Sequence, residues 1–431
     1  MVIRLFSRHI ILACFGILAV VILITMAVNF NREPSVSTGM ASTLSSSASG
    51  AAGKESQVAS SGAAAVSTRS SEEMRAVWVP YMSLNMSRET DRSEKAFLAK
   101  FNMILSTAKS CGMNTLIVQV RPFGDALYQS SYFPWSHVVG GTQGSNPGYD
   151  PLKDMVEASH RAGLKIHAWV NPLRIQVSGT PSALAENNPY NQFKNNPAKA
   201  NYVVAFNGGI YYNPAYDEVR KLVADGVREI AQKYDVDGIQ FDDYFYPSQD
   251  ASFDKSAYDA YCTGAKKTGA PMALADWRRA NVNALISQVY RGIKSVKADL
   301  PFGIAPQGNA QNDMEMGADV YSWCSAQGYV DYICPQLYYN FQNPVLPFDT
   351  AADTWKNIVK NKNIKLYLGL AAYKAGSDAD SGTWKSSSSI LASQIQYGRK
   401  KSCGGFMFYS CDYLSGDQTK QEIQNVIKLL N

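Results

Sequence analysis

From residue 75 onward, eight short apolar runs recur, separated by longer amphipathic stretches. They are RAVWVPY (75–81), NTLIVQVRP (114–122), KIHAWVNP (165–172), VDGIQFDDY (236–244), PFGIAPQG (301–308), VDYICPQLYY (330–339), KLYLGLAAYK (365–374) and GGFMFYS (404–410). Most are apolar at nearly every position, as strands covered on both faces must be. Between them, helical spacing predicts helices over 93–112, 149–163, 213–234, 275–299, 351–361, 388–402 and 417–430, with a turn or two near 319–328. Gly112 and Gly163 supply helix stops, and Asp150 followed by Pro151 forms an N-cap with proline at the first helical position. Eight strands alternating with helices predict an α/β fold of the (β/α)8 TIM-barrel type. An open doubly wound sheet would need a glycine-rich nucleotide turn after an early strand, and the sequence holds none. Two segments exceed what a barrel requires, 174–212 and 245–273. Both are expected as loops on the C-terminal face, where such barrels keep their chemistry.

The chain ahead of the first strand has a different character. Arg4 and Arg8 precede an apolar run from Ile10 to Val28. That run matches the roughly 20 residues that span a bilayer, and the leading positive charges favour an inside N-terminus. Residues 1–31 therefore read as an uncleaved signal anchor, with a cleaved signal peptide as the alternative. Residues 32–73 are rich in Ser, Ala and Gly and cannot bury a core, so they read as a disordered tether. An anchor, a tether and a globular domain over 74–431 describe an extracytoplasmic protein held at the cell membrane.

Composition removes several function classes. The net charge of +5 is spread over 431 residues without a basic block, which argues against nucleic acid as a partner. Only four His are present, none in a metal-ligand spacing, and no CxxC occurs among the seven Cys. Neither a metal site nor a cofactor is expected.

The candidate site lies at the strand ends. Aspartate is disfavoured inside a strand, yet Asp242 and Asp243 directly follow GIQF. In a barrel alternate side chains face the axis. If Gln240 points inward, so does Asp242. The same parity aims Gln119 and Arg121 inward on the second strand, His167, Trp169 and Asn171 on the third, and Gln336 and Tyr338 on the sixth. Trp78, Trp135, Trp169, Tyr244, Tyr246, Trp323, Tyr338 and Tyr339 supply flat faces near the mouth, suited to sugar rings. Structural readings stand beside these: an N-cap for either aspartate, an ion-pair role for Arg121, a hydrogen-bonded core position for His167.

Several long motifs resemble glycosyl hydrolase-like family ten, a family of bacterial envelope proteins. They are NTLIVQVRPFGDALYQSSYFPWS (114–136) and GYDPLKDMVEASHRAGLKIHAWVNPLR (148–174), joined in order by RAVWVPY, VDGIQFDDYFYP and VDYICPQLYY. The resemblance covers residues 74–431. It implies a barrel related to glycoside hydrolases and, as substrate, cell-wall glycan, including peptidoglycan strands that lack stem peptides. Gln240 stands where the pattern more often has His. Such hydrolases work with two carboxyl groups. Asp242, then Asp243, is the candidate nucleophile or base. Asp125, in RPFGDALY, is the candidate acid, with Asp313, Glu315 and Asp412 also following strand ends. Arg121, His167, Trp169, Asn171, Gln240, Tyr244, Gln336, Tyr338, Trp78 and Trp135 are the candidate substrate contacts. Two rival readings use the same residues: a wall-binding barrel that grips glycan without cutting it, and a metal-dependent hydrolase.

Overall fold

The computed structural model describes residues 73–267 and 269–430. The anchor read at 1–31 and the tether read at 32–73, Glu73 apart, lie outside the described residues. Among the described residues no helix is long and apolar enough to cross a membrane. The strands are β1 (Met74–Val79), β2 (Thr115–Arg121), β3 (Lys165–Val170), β4 (Arg174–Val177), β5 (Val203–Phe206), β6 (Gly209–Tyr212), β7 (Gly238–Phe241), β8 (Phe302–Ile304), β9 (Tyr332–Ile333), β10 (Lys365–Leu370) and β11 (Gly405–Phe408). Eight of them close into a barrel in the order β1-β11-β10-β9-β8-β7-β3-β2. Every neighbouring pair is parallel. These eight are the eight apolar runs of the sequence.

The helices form where helical spacing predicts them. Ser93 caps Glu94–Ser110 by accepting from the Ala96 N–H, and Phe97, Phe101, Leu105 and Ala108 make its buried stripe. Asp150 caps Pro151–Arg161 through the Lys153 N–H. Each large apolar side chain buried between helix and barrel contributes roughly 1.5–3 kcal/mol. The two expected loops carry structure of their own. Segment 174–212 holds a second, antiparallel sheet in the order β4-β6-β5 and the helix Pro189–Lys194. Its β5–β6 hairpin turns at Asn207-Gly208, with φ of 46° and 76°, the left-handed geometry that a two-residue hairpin turn requires. Segment 245–273 contains the helix Lys255–Ala265.

Inside the barrel a separate core joins Trp78, Trp169, Tyr332, Tyr367 and Met407 with smaller side chains. Several rings at this level fit because another strand offers a glycine where they meet it. A Cβ at Gly238 would stand 2.4 Å from the His167 ring, and at Gly303 2.1 Å from the Tyr332 ring. At Gly369 it would meet the Pro335 carbonyl and the Trp78 ring. The glycine inside VDGIQF is thus a seat for an imidazole. This packed floor lies directly beneath the C-terminal mouth.

Candidate active site

β7 ends at Phe241, and the next two residues carry the mouth carboxylates. Asp242 is only 4% exposed. Its Oδ2 accepts from Trp169 Nε1 at 2.9 Å and from Asn171 Nδ2 at 3.2 Å. Its Oδ1 has only the long contact from the Tyr244 N–H, at 3.4 Å. Burial pushes its pKa up to about 7. The Arg174 charge opposes that rise, and the charge of Asp243 adds to it. Asp243 is more accessible. Its Oδ1 accepts from Gln336 Nε2 at 3.0 Å, and that amide also donates to the Ala305 carbonyl. Burial raises its pKa too. Two like charges on consecutive residues resist joint ionisation, so the pair titrates as a unit that keeps one proton toward neutral pH.

The surroundings are aromatic. Trp78, Tyr338 and Tyr373 each pack against Tyr409, with ring centroids 5.9–6.2 Å apart. Burial, Asp412, Tyr413 and Asp242 push the Tyr409 phenol up to about 12, so it stays a proton-bearing donor. Tyr244 is 54% exposed at the rim. Gln240 spans the interior: its Oε1 accepts from Trp78 Nε1 at 2.6 Å and its Nε2 faces Met407 Sδ at 3.3 Å.

The sequence reading missed Arg174, the cation of the site. Its guanidinium lies 5.0 Å from the Tyr244 ring and 4.9 Å from the Phe123 ring. Its Nε donates to the Pro122 carbonyl, and its N–H is taken by Asn171 Oδ1. Asn171 therefore fixes the Arg174 turn with one atom and Asp242 with another. The available sign was position: Arg174 opens the long excursion after β3, at the rim.

Four predicted site residues fall elsewhere. The pairing of β2 with β3 shifts register between Gln119 and Arg121. A bulge of this kind re-aims the following side chain. Arg121 accordingly lies outside the barrel, over the Phe133 ring at 4.4 Å and against Gly226 of the helix Asp217–Lys233. His167 sits at floor depth with Nδ1 3.1 Å from the Tyr332 hydroxyl, and burial lowers its pKa to about 4, leaving a neutral core imidazole. Asp125 is 0% exposed. Its Oδ2 accepts from Gln143 Nε2 at 3.1 Å and faces His137 Nδ1 at 3.4 Å. Gln143 in turn accepts from the Ala185 N–H and from Asn188 Nδ2. Asp125 thus ties the loop after β2 to the excursion after β3 from a fully buried position. Trp135 stands half-buried in that same loop, its backbone bridged to Ala126. Among the aromatics, Tyr246 and Trp323 are buried in the outer layer, with Trp323 Nε1 donating to Asn283.

The other carboxylates considered for the acid are occupied or remote. Asp412 Oδ2 accepts from Ser83 Oγ at 2.8 Å and Ser410 Oγ at 3.2 Å. Asp313 is buried, with the Gln307 N–H on Oδ1, and Glu315 is bonded by Gln249 and Gln311. Among the described residues no three His, Cys, Asp or Glu side chains are grouped to hold a metal ion. Asp125→Ala is expected to lower stability by about 1–3 kcal/mol, the cost of leaving buried partners unsatisfied, with turnover within a few-fold of wild type. Denaturant unfolding beside steady-state kinetics checks this; lost turnover at full stability would return Asp125 to the chemistry.

Comparison with protein-family models matches residues 73–385 to the family described as Glycosyl hydrolase-like 10. The chain belongs to this family. Glycosyl hydrolase DigH of Escherichia coli K12 is 32% identical over 397 residues, 83% of this chain and 88% of its own length. Glycosyl hydrolase YngK of Bacillus subtilis is 35% identical over 333 residues, 72% of this chain and 63% of its own length. The alignment thus spans under two thirds of YngK. Among solved structures, the PgaB (BpsB) glycoside hydrolase domain from Bordetella bronchiseptica superposes with a TM-score of 0.52 at 12% identity, covering 82% of this chain and 98% of that one. At that identity the likeness concerns the barrel fold alone.

Proposed function

We propose that this chain is an extracytoplasmic glycoside hydrolase that cuts cell-wall polysaccharide, with peptidoglycan glycan strands as its substrate. The observation that carries the reading is the Asp242–Asp243 pair: two carboxyl groups at a barrel mouth, both with raised pKa, held by Trp169, Asn171 and Gln336. Raised carboxyl pKa values supply the proton that a departing glycosidic oxygen needs near neutral pH. The wall of Trp78, Tyr338 and Tyr409 supplies apolar faces for sugar rings. The glycosyl hydrolase names of DigH and YngK support the reaction class. The apolar run at Ile10–Val28, read as an anchor, supports a place at the membrane facing the wall.

The proton moves within a small space. Asp243, the more open member, delivers it to the leaving oxygen. Asp242, whose raised pKa lets it hold the pair's proton at rest, is left as the anion that balances positive charge at the sugar once that proton has passed to Asp243.

Digestion of purified peptidoglycan, with and without stem peptides, tests the reading by mass analysis of released products. Soluble glycan fragments from the stripped strands are expected. A second reading, a barrel that binds wall glycan without cutting it, draws on the serine hydroxyls that hold Asp412, the carboxylate following β11 across from the pair. Strand binding with no fragments released would establish that alternative.

A further inference from the structure

We infer that the nucleophile of this site belongs to the substrate: the carbonyl oxygen of a 2-acetamido group on the sugar attacks C1. The inference rests on the hydrolase reading and specifies its mechanism and substrate class. A two-carboxylate glycosidase places its groups on opposite sides of the scissile bond, about 5–5.5 Å or 6.5–9.5 Å apart, or else uses the substrate itself. Asp242 and Asp243 are consecutive, with Cα atoms about 3.8 Å apart, and both leave the rim at the end of one strand. A partner carboxylate would have to come from across the mouth.

In the closed order β1-β11-β10-β9-β8-β7-β3-β2, β11 lies four places from β7 in either direction. It ends in Phe408 and then Tyr409, and its neighbours contribute Trp78 from β1 and Tyr373 after β10. The facing wall is therefore aromatic. The carboxylates beyond it are already engaged. Asp412 takes two serine hydroxyls. Asp380 takes the Lys374 ammonium, the Trp384 indole and the Asn343 amide.

What the pair does offer suits an acetamido group. Asp242 has Oδ2 filled by Trp169 and Asn171, while Oδ1 is left with a contact of 3.4 Å. That open oxygen is an acceptor for an amide N–H. Trp169, bonded to Asp242, and Tyr409, close enough to feel the Asp242 charge, present apolar ring faces for a methyl group. Asp243 is partly exposed, with one oxygen held by Gln336, and is the member that can reach the leaving group.

The chemistry balances in two steps. The acetamido oxygen forms a bond to C1 as the C1–O bond to the leaving sugar breaks. The departing oxygen takes the Asp243 proton. The ring so formed is an oxazolinium ion, whose N–H donates to the Asp242 carboxylate and whose positive charge that carboxylate stabilises. Water then attacks C1, Asp243 takes its proton, and the C1–O bond to the acetyl carbon breaks to restore the amide. One water is consumed and the configuration at C1 is retained. Backside attack from C2 requires the leaving group trans to the acetamido group, so the substrate class is a β-linked 2-acetamido-2-deoxy sugar.

The test uses the full-length protein on stripped glycan strands. The anomeric configuration of the first product is read by NMR, and inhibition is measured with the thiazoline of N-acetylglucosamine, a stable mimic of the oxazolinium ring. Retention is expected, with the thiazoline binding at least about 100-fold tighter than N-acetylglucosamine, the low end for transition-state mimics. Inversion, or a thiazoline no better than the free sugar, overturns the inference and leaves the hydrolase reading standing. Strands left uncut under all conditions remove the hydrolase reading and this inference with it.

Discussion

Asp242→Asn is expected to abolish glycan cleavage and, above neutral pH, to make the folded protein more stable than wild type. The folded carboxyl, with its pKa near 7, binds its proton more tightly than the same group unfolded, near 3.8. Its contribution is therefore fully present below about pH 3.8 and declines as pH rises through 7. Three units at 1.36 kcal/mol each give a penalty of roughly 4 kcal/mol when the carboxylate is fully ionised. Asparagine carries no charge at any pH and escapes that penalty. Its amide faces the N–H groups of Trp169 and Asn171, a mismatch costing about 1–3 kcal/mol at every pH. The stability of the variant relative to wild type should thus climb between pH 4 and 8. Unfolding curves across that range decide it. A constant difference would mean that Asp242 titrates normally, and unchanged turnover would remove it from the chemistry.

Asp243→Ala separates proton donation from the rest. Loss of a general acid typically costs 10²–10⁴-fold in rate, and that loss is expected on natural strands. On an aryl glycoside of the same specificity the loss should be far smaller, because a good leaving group needs little protonation. The pH profile adds a signed check. Wild-type activity should be bell-shaped, since the pair must hold one proton, with the alkaline limb near pH 7. Removing Asp243 takes away a negative charge that helps raise Asp242, so the Asp242 pKa should fall in the variant. Equal losses on both substrates, with an unmoved profile, would leave Asp243 a structural residue.

The barrel was legible because its strands are apolar runs and its helices carry caps and stops at the right distances. The small sheet was not. RIQV, VVAF and GIYY are four residues each, too short for alternation to stand out, although the Asn207-Gly208 turn was a usable hairpin sign. The site shows the same divide. Strict alternation placed Gln240, Asp242, Trp169 and Asn171 about one axis, where hydrogen bonds join Trp169 and Asn171 to Asp242 and tie Gln240 to Trp78. It misplaced Arg121, because a bulge alters parity without altering composition. Asp125 looked like an acid because it follows a strand end among apolar residues. Its partners, Gln143 and His137, come from a stretch whose fold over that aspartate no local pattern announces.

The glycine seats have a consequence for how this protein can change. The rings of His167, Tyr332 and Trp78 occupy space that another strand vacates at Gly238, Gly303 and Gly369. Any side chain larger than hydrogen at Gly238 or Gly303 must displace a ring, and at Gly369 it meets the Pro335 carbonyl first. Gly238 lies on the strand that leads to Asp242, and Trp169, two residues after His167 on β3, donates to that carboxylate, so a displaced His167 would disturb both strands that hold it. The floor is thus nearly closed to gradual variation. New glycan preferences must arise in the rim segments, above all the excursion between β3 and β7, where insertions leave the seats untouched. The division is one of evolutionary tempo, with a fixed chemical floor beneath a freely edited entrance.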